Sequence, residues 1–248
     1  MWTFCLKFWI NRALLIYKFD ENKLKTIVYR VINMFTDNIA ERHIKELVSR
    51  YPALENAAGD INKVYIALKT CFVNDKTLFC AGNGGSAADS EHIVGELMKS
   101  FIRQRPLNEV ITAAFRQRTG DAVLPERLQM GLRCISLLSH PALNTAFMND
   151  VDPALIFAQQ LFVLGRKGDT VIGISTSGNA ENILNMFKVA RVRGITSILL
   201  TGQNHGISEK YADLVIHVPE SETYKVQELH LPIYHCLCIM LEENFYGK

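Results

Sequence analysis

The sequence predicts an α/β domain, a five-stranded parallel sheet flanked on both faces by helices in a three-layer sandwich. Two observations carry this reading. Five short apolar runs, at residues 77–81, 134–138, 170–174, 196–200 and 214–218, recur along the chain, and most lead into a stretch with helical periodicity. Strands buried on both faces read as continuous apolar runs, and their alternation with helices is the pattern of a parallel sheet. The length of 248 residues suits one such domain with a helical extension.

The N-terminal stretch "MWTFCLKFWINRALLIYKF" has the look of a targeting segment. Lys7 and Arg12 divide it into pieces too short to span a bilayer, however, and no small-residue cleavage site follows. Residues 1–33 are therefore set apart as an extension, with Met34 a candidate natural start and the domain occupying residues 34–248. Thr36 or Asp37 can cap a first helix whose Ile39, Ile44, Leu47 and Val48 share a face. Pro52 interrupts before a second helix over about 54–72, and the first strand follows. Residues 103–133, with Pro106, Gly120, Pro125, Gly131 and several arginines, break the alternation and are expected to form an insertion, either a lid or interface arm or a helical hairpin without a role.

Composition excludes several classes. A formal charge of +2 with acids and bases well mixed creates no field that would favour nucleic acid or an anionic membrane, so neither partner is expected. Six cysteines sit mostly in apolar runs without C-x-x-C spacing, the usage of buried thiols in a reducing compartment, and the expected location is the cytoplasm.

Two strand-to-helix junctions stand out, "LFCAGNGGSAADSEH" and "TVIGISTSGNAENIL". Each places glycine and small hydroxyl residues after a buried strand and ahead of a helix, where free backbone N–H groups and the helix dipole favour an anion. Ser86 alone would read as an ordinary N-cap. Two such loops at equivalent points of one sheet suit a single phosphate-bearing ligand at the carboxyl ends of the strands. Neither is a Walker loop, since no G-K-S/T follows, and neither completes the G-x-G-x-x-G fingerprint.

Asp89, His92 and Glu96 follow the first loop at spacings of three and four, so His92 and Glu96 share a face; a solvated i,i+4 pair would look the same. In the last helix Gln227 and His235 are eight residues apart and again share a face, while Pro232 marks a kink or local break. His235 lies in "LPIYHCLCIML", a setting that suits a hydrogen-bonded core imidazole as readily as a ligand.

The pieces "GNGGSAADSEHIVGEL", "AFMNDVDP", "GISTSGNAENIL" and "VQELHLPIYHCL" together resemble the sugar isomerase (SIS) fold, and within it the phosphoheptose isomerase family, over residues 35–245. The resemblance implies that Asn83, Gly84 and Ser86, with Ser175, Thr176, Ser177 and Asn179, bind the phosphate and neighbouring sugar hydroxyls. It also implies an acidic residue near the site at Asp150, and a Zn²⁺ ligand set of His92, Glu96, Gln227 and His235, with Gln227 also within reach of substrate. A homotetramer whose sites draw on neighbouring subunits is implied as well. Aldose–ketose isomerisation of a phosphorylated sugar, with sedoheptulose 7-phosphate the leading substrate, needs a base and a proton-moving partner, and the residues expected to serve are Glu96 and His235.

Two positions depart from the family pattern. Tyr224 stands where an acidic residue is usual, and Ala180 where a hydroxyl is usual. A non-catalytic phosphosugar-binding regulator would keep the hydroxyl loops but lose the acid–base residues, which are present here. A tetrameric interaction protein, like the branch that binds a replication initiator, would draw instead on the basic residues of the insertion, which read equally as a solvated face.

Overall fold

The computed structural model describes residues 38–247. The extension 1–33, Met34 and the capping positions Thr36 and Asp37 lie outside the described residues. Residues 38–50 are helical (α1), and the contacts below all fall within the compact unit His43–Lys248.

Pro52 does end α1, but the chain first makes a 3-10 turn, Pro52–Ala57, before helix α2 (Ala58–Val73). The expected single helix from residue 54 is thus a 3-10 turn and then an α-helix, because proline at the first helical position supports a tight turn as well as an α-helical one. The alternation then runs β1 (Leu78–Gly82), α3 (Gly85–Met98), β2 (Cys134–Ser136), α6 (Pro141–Asp150), α7 (Ile156–Leu164), β3 (Thr170–Ile174), α8 (Glu181–Arg193), β4 (Thr196–Thr201), β5 (Leu214–His217) and α9 (Thr223–Tyr246). Between α3 and β2 lie α4 (Glu109–Thr119) and the single turn α5 (Leu124–Arg127).

All five expected strands form, in the order β2-β1-β3-β4-β5 and parallel throughout. β1 and β3 are buried along their whole length, the reason their sequences are unbroken apolar runs. On one face Phe79, Ala81, Val171 and Leu199 meet Phe157 and Leu161 of α7 and Ile183, Met186, Phe187 and Ala190 of α8. Successive side chains of a strand point to opposite faces, and α2 and α3 cover the other side, with α9 packed on both of them. Strand order of this kind reverses its winding between β1 and β3, and the crevice at that reversal is where such sheets bind ligands.

The insertion is helical and is anchored by charge. The Glu242 carboxylate, on α9, accepts from the backbone N–H groups of Phe101, Ile102 and Arg103 and from Arg105 Nε at 2.7 Å. Arg105 also donates through Nη1 to the Leu97 carbonyl and through Nη2 to that of Glu96, closing the C-terminal end of α3. Both side chains are essentially inaccessible, 0% and 1% exposed. Arg105 is therefore neither a solvated arginine nor a docking residue, contrary to both sequence readings of the basic insertion. Pro232 introduces no break either: α9 runs continuously through it for 24 residues.

Two stability predictions follow from these buried groups. Glu242→Gln leaves the Arg105 guanidinium enclosed without its counter-charge, and urea denaturation is expected to show a loss of about 3–5 kcal/mol. His230, fully enclosed on α9, donates through Nε2 to the Thr201 carbonyl at 3.4 Å, and burial lowers its pKa to about 4. The folded chain keeps this ring neutral while the unfolded chain protonates it near pH 6.5. Stability is therefore lost as pH falls from about 6.5 to about 4 and levels off below that. Relative to the parent, His230→Leu should gain stability over that window, by up to about 3 kcal/mol at the acid end.

Candidate active site

Loop 83–85 follows β1 and loop 175–180 follows β3, so the two hydroxyl loops flank the crevice between the central strands. An amide pair ties them: Asn83 Nδ2 donates to Asn182 Oδ1, and Asn182 Nδ2 to Asn83 Oδ1, each at 2.9 Å. Gly84 adopts φ 55°, a conformation side chains resist, and opens α3. At Gly85 a Cβ would fall 2.7 Å from Gln227 Nε2, so the bare glycine is what lets the Gln227 side chain lie against the N-terminus of α3.

Ser86 and Ser175 are buried, Thr176 half-buried and Ser177 exposed. The oxygens of Ser175 and Ser177 accept from the backbone N–H groups of Ala180 and Asn179. Among the described residues the hydroxyl protons of Ser86, Ser175, Thr176 and Ser177 are given to no protein acceptor, which leaves them for a ligand's oxygens. Asn179 is placed differently: its amide donates to the Ser177 carbonyl and accepts from Ile207 N–H, so this side chain builds the loop.

A second group of residues forms where α3 meets α9. Tyr234 donates its hydroxyl proton to Asp89 Oδ1 at 3.1 Å, and its oxygen, having spent that proton, accepts from His92 Nδ1–H at 3.0 Å. His92 Nε2 faces Glu96 Oε1 at 3.3 Å. Lys99 Nζ lies 3.1 Å from Glu96 Oε2. The rings of His92 and His235 are 4.9 Å apart, with Tyr234 and Phe101 also against His235. His235 is half-buried, not a core residue, and its Nε2 is enclosed with no hydrogen-bond partner among the described residues. Burial and the neighbouring His92 push its pKa below the ordinary imidazole value, so the ring is neutral at pH 7. Burial raises Asp89 above the usual carboxylate value, against the lowering effect of the Tyr234 hydrogen bond and His92.

The donor chemistry here suits a divalent cation. His92 Nε2 and Glu96 Oε1 stand 3.3 Å apart, about the edge of a tetrahedron with metal–ligand bonds of about 2.0–2.1 Å. The Asp89–Tyr234–His92 chain is the outer support that holds a ligating imidazole in one tautomer.

The structure brings His92, Glu96 and His235 together, with Gln227 at the head of the same helix pair. Asp150, exposed at the end of α6, accepts from Asn149 Nδ2 and is hydrogen-bonded to neither group among the described residues. Tyr224 is 57% exposed, and the Lys225 ammonium lies over its ring at 5.7 Å. Sequence reasoning missed Tyr234 and Asn182. Nothing in a phenol or an amide marks its partner 145 or 99 positions away.

A profile for the SIS domain matches residues 143–240. The phosphoheptose isomerase of Burkholderia pseudomallei is 32% identical over 219 residues, a match covering 88% of this chain and 98% of that protein. Among solved structures, a phosphoheptose isomerase from Neisseria gonorrhoeae superposes with a TM-score of 0.62 at 27% identity, over 87% of this chain and 99% of that one. One from Francisella tularensis gives 0.65 at 25% identity, over 84% and 97%.

Tyr234→Phe deletes the hydroxyl that satisfies both Asp89 and His92. The expected loss is about 1–3 kcal/mol of folding stability by chemical denaturation, reflecting two polar groups stranded where α3 meets α9.

Proposed function

Since this chain belongs to the phosphoheptose isomerase family, we propose that it interconverts sedoheptulose 7-phosphate and D-glycero-D-manno-heptose 7-phosphate through an enediol. The observation that carries the reading is the meeting of Glu96, His92 and His235 beside two hydroxyl loops at the sheet's reversal point. A phosphate-binding module has no need of the first group.

Glu96 takes the proton from C1 of the ketose and returns it to C2 of the aldose. His235, neutral and with an uncommitted Nε2, gives a proton to O2 as the carbonyl becomes a hydroxyl and receives the one leaving O1. Protons thus balance, and the one held by the Glu96 carboxyl exchanges with solvent while the enediol stands, before delivery to C2. Lys99 Nζ stands beside the Glu96 carboxylate, on the oxygen that His92 does not face. The phosphate is held by the hydroxyls of Ser86, Ser175, Thr176 and Ser177 and by the backbone at Asn83 and Gly84, at the positive end of α3. Asn179 serves by shaping its loop, and Asp150 is assigned to the sugar hydroxyls on the resemblance alone.

His92, Glu96, Gln227 and His235 are the residues that would hold Zn²⁺, which when bound supplies Lewis-acid polarisation of the sugar carbonyl. Coordination lowers the basicity of Glu96, so metal content and turnover are separate measurements. The assembly in this reading is a homotetramer. The compartment in this reading is the cytoplasm, supported by five free buried thiols among the described residues. No helix among the described residues is long and apolar enough to cross a membrane.

The test follows sedoheptulose 7-phosphate by NMR in deuterated water. Conversion with deuterium entering at C2 is expected, falling by about 10²–10⁴-fold in Glu96→Gln and in His235→Ala. A folded protein that binds the sugar phosphate but never turns it over would sink the reading.

A further inference from the structure

A second group of metal-binding side chains lies in the connection between β4 and β5. His205 and Glu209 are four residues apart across the start of the 3-10 turn Ile207–Tyr211, and His217 is the last residue of β5. His217 donates its Nδ1–H to the Gly202 carbonyl at 2.8 Å, which leaves Nε2 as a lone pair 3.6 Å from Glu209 Oε1. His205 Nδ1 is 2.8 Å from Glu209 Oε2, and Gly206 N–H donates to Oε1. The two rings are 5.1 Å apart, and one ligand atom from each of the three residues lies within 4.8 Å of the others. Burial works to raise the Glu209 pKa, but the hydrogen bonds from His205 and Gly206 and the imidazole charges outweigh it, so the carboxylate stays ionised.

We propose that His205, Glu209 and His217 bind a divalent transition metal of the zinc class, at a site separate from the His92–Glu96–His235 group. Two imidazoles and one carboxylate are a recurrent set for Zn²⁺ that leaves one position open. The Gly202 carbonyl plays the supporting role that fixes a ligating imidazole's tautomer. In that tautomer His217 Nε2 faces Glu209 Oε1 at 3.6 Å, so an ion between them can take a bond from each. Both imidazoles line a cavity of about 280 Å³ that also takes in Asn56, Asp60 and Gln203, with room for a water or a small anion as fourth ligand. His205 is 83% exposed, so an ion from solution reaches the site directly.

The position gives binding a consequence. The same connection carries the loop after β3: Gly202 N–H donates to the Thr176 carbonyl, Ser208 N–H to that of Gly178, and Ile207 N–H to Asn179 Oδ1. An ion that ties residue 205 to residue 217 staples this support and stiffens the loop bearing Ser175–Ser177.

The full chain, stripped of metal with a chelator, is titrated with Zn²⁺ against a chromophoric indicator and with Co²⁺, whose visible absorption reports imidazole and carboxylate ligation. His205→Ala/His217→Ala is expected to bind one ion fewer per chain than the parent, with unchanged circular dichroism. His92→Ala/His235→Ala is expected to retain that ion. Glu209→Gln, which keeps the shape, should weaken it by at least the roughly 10–100-fold that losing an outer-shell partner costs. Equal stoichiometry in the parent and His205→Ala/His217→Ala overturns the proposal, as does an absence of bound ion in a folded His92→Ala/His235→Ala protein. Because the readout is ions bound, it fails or succeeds independently of sugar turnover.

Discussion

One phenolic hydroxyl joins the two helices on which the site is built. Tyr234 Oη has a single proton and spends it on Asp89, so its oxygen can only accept from His92. That settles three things together: the contact between α3 and α9, the proton on His92 Nδ1, and the direction in which its Nε2 points, toward Glu96. Burial raises the Tyr234 pKa, and the Asp89 charge raises it further, so the phenol stays neutral and the chain of donors keeps its sense. His235 follows Tyr234 in α9 and is carried with it against His92.

The sheet supplies the other half of the site. Because β1 and β3 are neighbours, two loops separated by about ninety residues of sequence open onto one crevice. The Asn83–Asn182 amide pair then holds them at a fixed distance with two uncharged hydrogen bonds.

The buried pair Arg105–Glu242 gives the insertion its purpose in the fold. A buried ion pair is seldom a net source of stability, because desolvation offsets attraction. Here the carboxylate also satisfies three consecutive backbone N–H groups and the guanidinium two helix-end carbonyls. Burial alone would raise the Glu242 pKa, but those N–H groups and Arg105 hold it below the usual value. The result is that the chain leaving α3 is turned at a defined angle, which sets Phe101 against His235.

The sequence by itself determined the sheet and the two glycine- and hydroxyl-bearing loops that follow β1 and β3. Continuous apolar runs are what strands buried on both faces require, and all five were placed within a few residues. Glycine and hydroxyl residues after 77–81 and 170–174 are local chemistry, visible without a partner. Spacing also put His92 and Glu96 on one face. It could not decide whether His235 was core or site, that Asn179 builds its loop, that Arg105 is enclosed, or that Tyr234 links Asp89 to His92. The Asn179 bonds reach 28 positions on to Ile207, and the others depend on which segments meet across a hundred or more residues. Periodicity records only the face a helix buries; what that face touches, and which lone pair is left over, was decided by packing in three dimensions.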